Sequence, residues 1–212
     1  MKQKNNQSVD YSIVIPVYQN EGSLEDTFKL IKEKVIDINS QYSAEVIFID
    51  DGSTDSSFQT LMRLHEAHPK LIVIIKLTRN FGTYPAIIAG YEKARGKCVI
   101  NISADLQEPP ELIHDMLNYH FKDNFNIVIC NRDSRDEGLY RTITSKIFYG
   151  IIKKLCFPNM PSGGFDFILI SNRVKNYILK VFIFDVAPFA RGHSSNGPAL
   201  HKRRPQKSVI AS

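Results

Sequence analysis

Residues 11–55 read YSIVIPVYQNEGSLEDTFKLIKEKVIDINSQYSAEVIFIDDGSTD, and this stretch decides the fold class. YSIVIPV (11–17) is a continuous, β-branched apolar run, the pattern of a strand buried on both faces. From Glu21 to Ile38 the period changes. Leu24, Phe28, Ile31, Val35 and Ile38 recur every three or four residues and form one helical stripe. EVIFID (45–50) returns to the strand pattern. A strand, a crossover helix and a second buried strand make a βαβ unit, whose two strands run parallel.

The alternation continues outward. Asp55 to His65 reads as a helix with Phe58, Leu61 and Leu64 on one face. LIVIIKL (71–77) is a third strand, Tyr84 to Arg95 a third helix and KCVINIS (97–103) a fourth strand. Pro109 and Pro110 open the next helix, where proline is tolerated, and NIVIC (126–130) is a fifth strand. The expected fold is α/β, a Rossmann-like, mostly parallel sheet with helices on both faces. Ligands of such sheets bind beyond the carboxyl ends of the strands. Those ends carry the polar clusters Tyr18-Gln19-Asn20-Glu21, Asp50-Asp51-Gly52-Ser53, Arg79-Asn80-Phe81-Gly82 and Asp105-Leu106-Gln107.

Past residue 130 the pattern breaks. CNRDSRDEGLYR (130–141) is charged and loop-like, and Thr142 to Phe157 is amphipathic with Lys146, Lys153 and Lys154 on its polar side. PSGGFDFILIS (161–171) reads as a turn and a short strand, and Asn172 to Lys180 as a short helix.

The chain has 212 residues, 43% hydrophobic and 23% charged, which suits one large globular domain. Its three cysteines, Cys98, Cys130 and Cys156, are far apart and match no zinc spacing, so a reducing compartment is expected. The longest apolar run is Leu71–Ile75, far short of the roughly 20 residues of a membrane span. The first ten residues, MKQKNNQSVD, are polar, so no secretory signal is expected. The net charge of +5 comes wholly from the end of the chain. Arg191, Lys202, Arg203, Arg204 and Lys207 account for the entire excess of 27 basic over 22 acidic residues. Residues 1–190 are neutral overall, so no nucleic-acid partner is expected.

The nucleotide motifs G-x-G-x-x-G after a strand and G-x-x-x-x-G-K-[ST] are absent, as are H-x-x-x-H and G-x-S-x-G. What remains is acidic. Asp50-Asp51-Gly52-Ser53-Thr54-Asp55 can be a plain turn and helix cap, since these residue types favour both. Asp105-Leu106-Gln107 can be a strand-end turn before Pro109-Pro110. It also offers a carboxylate and an amide oxygen two residues apart. Mg²⁺ takes such a set together with substrate phosphates.

The four segments VIPVYQNEGSL (14–24), FIDDGSTD (48–55), LTRNFGTYPAIIAG (77–90) and SADLQEPPE (103–111) occur in this order and spacing. Together they resemble the inverting family 2 glycosyltransferases of GT-A fold. The likeness is strongest to the polyprenyl-phosphate transferases, such as dolichol-phosphate mannose synthases and bactoprenol glucosyltransferases. It covers roughly residues 10–190, with RDEGLYRTITSKIFYGII (135–152) and PSGGFDFILISNRV (161–174) also fitting. It implies an enzyme that moves a hexose from a nucleoside-diphosphate sugar to a polyprenyl phosphate, at the cytoplasmic side of a membrane and bound peripherally. It implies that Pro16, Tyr18, Glu21, Asp50, Asp51, Arg79 and Gly82 contact the nucleotide sugar. Asp105 and Gln107 would hold Mg²⁺ or Mn²⁺, with Asp105 and Asp166 near the reacting centre. Arg132, Arg135 and Arg141 would receive the lipid phosphate, since a guanidinium donates two hydrogen bonds at once. These arginines also read as a solvated charge run with Asp133, Asp136 and Glu137, and Asp166 as a turn cap. Helix 142–157 reads either as lying in a membrane interface or as an ordinary core-facing helix. Two further readings stay open: a transferase acting on a sugar hydroxyl of a surface glycan, and a truncated, inactive nucleotide-binding remnant.

Two departures stand out. The subgroup often has Asp-x-Asp-x-Gln where this chain has Ser103-Ala104-Asp105-Leu106-Gln107, so the first carboxylate is a serine. The likeness stops after VAPFARG (186–192), and the chain has no tryptophan. The expected organisation is therefore an N-terminal extension (1–10), a catalytic domain (11–190) incomplete at its C-terminal end, and a basic, disordered tail (191–212).

Overall fold

The computed structural model describes residues 8–130 and 167–182. Its strands are β1 (Tyr11–Val17), β2 (Ala44–Asp50), β3 (Ile72–Lys76), β4 (Cys98–Asn101), β5 (Ile127–Ile129) and β6 (Ile168–Ser171). Its helices are α1 (Leu24–Ile31), α2 (Ser57–Ala67), α3 (Thr83–Lys93), α4 (Leu112–Phe121) and α5 (Asn172–Val181). The strands form one sheet in the order β3-β2-β1-β4-β6-β5. β1 pairs parallel with β2 and β4, and β2 parallel with β3. β6 lies antiparallel between β4 and β5. The α/β expectation of a mostly parallel sheet holds, and the strand expected within 161–171 supplies its antiparallel member.

β1 is apolar at every position but Ser12 because both its faces are covered. Tyr11, Ile13, Ile15 and Val17 meet Leu24, Phe28 and Ile31 of α1, Leu61 of α2 and Ile113 of α4 on one face. Val14 meets Ile87 and Tyr91 of α3 on the other, where Ile178 of α5 also packs. The sequence reading drew one helix over 21–38. The structure instead has α1 followed by a π-helical turn, Lys32–Ile36, that keeps Val35 buried. The proline pair lies just before α4, in the turn in which Pro109 and Pro110 carbonyls accept the Leu112 and Ile113 amides.

α3 packs tightly on the sheet. A Cβ added at Gly90 would stand 2.6 Å from Val14 Cγ1 and 2.9 Å from Ile49 Cδ1. Gly90→Ala gains helix propensity of about 1 kcal/mol but overpacks this contact at a cost of about 1–3 kcal/mol. The expected net result is a melting temperature lower by about 2–4 °C. A variant as stable as its parent would show that Val14 and Ile49 yield freely.

At the amino ends of the strands a buried polar knot fixes the sheet. Glu45, 1% exposed, accepts the Ser12 hydroxyl at 2.7 Å and the Arg95 amide at 2.7 Å, and pairs with the Arg95 guanidinium at 2.7 Å. Lys175 donates to the Ala94 carbonyl at 2.6 Å; burial pushes its pKa down, and the Glu45 charge partly restores it. Burial pushes the nearby Cys98 thiol up to about 12, with the Asp10 charge adding to it, which leaves an inert thiol.

The opposite, carboxyl end is where the sheet opens. The chain builds outward from β1 to β2 and β3, then crosses back to set β4 on the other side of β1. Strand order therefore switches between β1 and β4. β4 was expected over 97–103, but it leaves the sheet after Asn101, opposite Val14. β1 runs on to Val17, so its last residues border a crevice.

Candidate functional site

The crevice is a cavity of about 370 Å³. Pro16, Val17 and Tyr18 from the end of β1 line one side, and Asn101 to Asp105 the other. Asp51, Thr83 and Ile87 close it toward α3, and Gln107 and Glu108 complete it. Of the residues expected at a site, Pro16, Tyr18, Asp51, Asp105 and Gln107 are thus brought together. Glu21, Asp50, Arg79 and Gly82 are not among the lining residues; they build the loops around it.

The acidic turn after β2 is more than a turn. Asp51 is 3% exposed, and its two oxygens accept the backbone amides of Phe81 and Gly82, each at 2.8 Å. The carboxylate therefore latches the 79–82 loop to the end of β2. Gly52 permits the approach: its φ is +72°, and a Cβ there would lie 2.5 Å from the Arg79 carbonyl carbon. Arg79 sits over the Phe81 ring at 4.3 Å, a cation–π contact at the outer end of the latched loop. Gly82, at φ +96°, is the residue from which α3 starts. Asp50 is fully buried; its Oδ1 accepts the Ser53 amide at 3.2 Å, and its Oδ2 has no partner among the described residues.

The loop after β1 is tied to the loop after β2. The Gln19 amide donates to Ser53 Oγ at 3.1 Å and the Asn20 amide to Ser57 Oγ at 2.8 Å. Glu21 Oε2 accepts the Ser56 amide at 2.7 Å, so this acid satisfies an orphan donor at the start of α2. Asp55 accepts the amides of Ser57 and Glu21. Burial works against its charge, but the bonds to Ser57 and then to Glu21 prevail and hold its carboxyl below the usual range. Tyr18 is left 44% exposed at the rim, an aromatic face open to a ligand.

Past β4, the chain curls around Ser103. Its hydroxyl donates to Glu108 Oε2 at 2.6 Å and accepts the Gln107 amide at 3.2 Å. Gln107 Nε2 donates to Asp105 Oδ2 at 2.7 Å. Burial opposes charge on Asp105, yet the bonds from Gln107 and Ser103 outweigh it and hold its carboxyl below the ordinary carboxylate value. α1 secures this loop from behind, with Thr27 Oγ1 donating to the Ala104 carbonyl at 2.7 Å.

Sequence reasoning passed over Asn101. It is 6% exposed, lines the cavity, and its Oδ1 has no partner among the described residues. The available signal was one polar residue closing the apolar strand CVIN. Among the described residues no three histidine, cysteine or acidic side chains form a metal cluster. The oxygens of Asp105, Gln107 and Asn101 nevertheless fit a hard cation that keeps waters and takes substrate phosphates as ligands. Among the described residues no helix is long and apolar enough to cross a membrane. Arg132, Arg135, Arg141 and Asp166, helix 142–157 and the 191–212 tail lie outside the described residues.

Known proteins resemble this chain in sequence and in fold. The chain is 36% identical over 172 residues to an uncharacterized glycosyltransferase of Synechocystis, covering 81% of this chain and 53% of the relative. It is 32% identical over 168 residues to the bactoprenol glucosyl transferase of Shigella phage SfV, covering 79% and 53%. The chain thus spans about half the length of these curated relatives. The mannosyltransferase of Pyrobaculum calidifontis, solved in complex with GDP-Man and Mn²⁺, superposes with a TM-score of 0.58 at 18% identity, over 81% of this chain and 47% of that one. The fold is therefore that of the GT-A transferases. The family model for glycosyl transferase family 2 matches residues 12–191, nearly the whole βαβ frame and everything that lines the cavity, and the chain belongs to that family.

Proposed function

We propose that this chain carries the donor site of an inverting hexosyltransferase, which takes a hexose from a nucleoside-diphosphate sugar and delivers it to a polyprenyl phosphate. The observation that carries the reading is the cavity at the β1/β4 switch point, with Asp51 on one wall and the Asp105–Gln107 pair on the other. In this reading the base lies against Tyr18 and Pro16. Asp51, whose carboxylate keeps lone pairs beyond those given to Phe81 and Gly82, accepts from base or ribose. Arg79, fixed by the latched loop, faces the diphosphate with Gly82; Asp50 and Glu21 hold the loops in register. Asp105 and Gln107 hold Mg²⁺ or Mn²⁺, which when bound would neutralise charge on the departing diphosphate.

In the transfer, the bond between the anomeric carbon and the diphosphate oxygen breaks. An oxygen of the acceptor phosphate bonds to the opposite face of that carbon, inverting it. A phosphate monoester has a second pKa of about 6 and is largely dianionic near neutrality, so it needs no general base. Asp166 then orients groups rather than removing a proton, and Arg132, Arg135 and Arg141 receive the acceptor phosphate. The bactoprenol acceptor in the name of the phage relative supports this choice over a sugar hydroxyl. A lipid acceptor also implies peripheral contact with the cytoplasmic face of a membrane.

The test offers UDP- and GDP-sugars with Mg²⁺ or Mn²⁺, first for thermal stabilisation and then for transfer to polyprenyl phosphate beside a free sugar acceptor. Transfer to the sugar hydroxyl alone would overturn the lipid-phosphate reading, and stabilisation without any transfer would point to a nucleotide-binding remnant. Asp105→Asn is expected to weaken nucleotide-sugar binding in Mn²⁺ by about tenfold, the scale of a lost metal contact, and to leave the metal-free melting temperature unchanged. Cation-dependent binding that survives the substitution would remove Asp105 from the site.

A further inference from the structure

We infer that Glu108 is the second carboxylate of the cation site and takes the place that Ser103 leaves without charge. The inference rests on the reading of Asp105 and Gln107 as cation-binding residues. Glu108 is 8% exposed, yet it lines the same cavity as those two. Three contacts converge on Ser103. Its hydroxyl donates to Glu108 Oε2 at 2.6 Å and accepts the Gln107 amide at 3.2 Å, and its own amide lies 3.4 Å from the same Glu108 oxygen, while Gln107 Nε2 donates to Asp105 Oδ2 at 2.7 Å. Ser103 and the Gln107 it holds thus draw both acids to the same stretch of cavity wall. Two carboxylates drawn to one point of a cavity wall are stabilised by a cation between them.

A second observation points the same way. Asn101 lies two residues before Ser103 and presents, in the wall of this cavity, a buried amide oxygen with no partner among the described residues. Two carboxylates with neutral amide oxygens from Asn101 and Gln107 make an all-oxygen donor set, which suits Mg²⁺ or Mn²⁺ and not a thiophilic metal. An ionised carboxylate has about four acceptor positions, so the bonds Glu108 takes from Ser103 are compatible with coordination. Ser103 becomes a positioning residue that aims Glu108.

The test titrates Mn²⁺ into the full chain, with and without UDP or GDP, and reads free Mn²⁺ by its electron paramagnetic resonance signal. Glu108→Gln keeps an oxygen to accept from Ser103 and removes the charge. Mn²⁺ affinity is expected to fall about tenfold, with the metal-free melting temperature within about 2 °C of the parent's. The swap S103D/E108Q returns a carboxylate to the spot 2.6 Å away and is expected to recover the affinity. A loss under about threefold in Glu108→Gln overturns the inference. So does a swap variant that folds but does not recover Mn²⁺ binding, because the defect is then a disturbed loop. If Glu108→Gln does not fold, the swap alone decides by the same measure. A parent chain that binds no Mn²⁺ also overturns it, while nucleotide binding in the same titrations reports separately on the donor-site reading.

Discussion

Gly52→Ala is expected to lower the melting temperature by roughly 10 °C, at about 2–4 °C for each kcal/mol in a chain of this size. Two costs add. An alanine at φ +72° is in the left-handed region, at roughly 1–2 kcal/mol. Its Cβ would also stand 2.5 Å from the Arg79 carbonyl carbon, 2.7 Å from the Arg79 Cα and 2.7 Å from the Asn80 nitrogen. All three are backbone atoms, so no side chain can swing aside, and the 79–82 loop must move. Moving it strains the amide bonds of Phe81 and Gly82 to Asp51, worth about 1.5–3 kcal/mol each for a charged acceptor. Thermal unfolding followed by circular dichroism measures the outcome. A fall under about 3 °C, equivalent to roughly 1 kcal/mol, would mean that the loop relaxes at little cost and that the close approach is not required.

Asp51→Ala is expected to damage both stability and donor binding. It strips the acceptor from two amides in a nearly buried site, which costs about 3 kcal/mol or more. With the latch gone, Arg79 and the start of α3 lose their fixed position beside the cavity. Nucleotide-sugar affinity is expected to fall about a hundredfold, or roughly 2.7 kcal/mol. Asp51→Asn retains one acceptor oxygen but turns an NH₂ toward the other amide, so it should fall between parent and alanine variant. Calorimetric titration with the nucleotide sugar, below the melting temperature of every variant, separates binding from folding. An alanine variant that binds as tightly as its parent would remove Asp51 from the donor site. One that melts with its parent would show that the latch contributes nothing.

The side chains of these loops were legible in unequal measure. Asp51 stood out as an acid at a strand end, and a nucleotide contact was the role implied for it. The structure adds a structural duty that no local pattern carries, since its partners lie 30 and 31 residues away. Glu21 shows the same gap between type and task. It was expected beside the nucleotide, and it is found accepting the Ser56 amide 35 residues away. Glu108 and Asn101 were not singled out. Glu108 sat inside the quoted SADLQEPPE segment as filler between Gln107 and Pro109, and Asn101 as the end of a strand. Hydrogen bonds of side chains to distant backbone leave no period in the sequence.

Periodicity by itself determined the elements. Apart from Ser12, Glu45 and Asp50, residues 11–17 and 44–50 are apolar without alternation because both sheet faces are covered, and the helix between them shows one stripe because only one of its faces is. The order of strands and helices then made a mostly parallel sheet the expected solution, with a site at its carboxyl end. Tertiary structure alone decided that β6 would slip antiparallel between β4 and β5, because strand pairing joins segments far apart in sequence. It also decided how deep the crevice is, since β4 stops at Asn101 while β1 continues to Val17. And it decided which carboxylate oxygens bind backbone and which face the cavity, because that depends on where distant loops come to rest. Residue type supplies the chemistry, and the packing of non-local segments selects the atom that can use it.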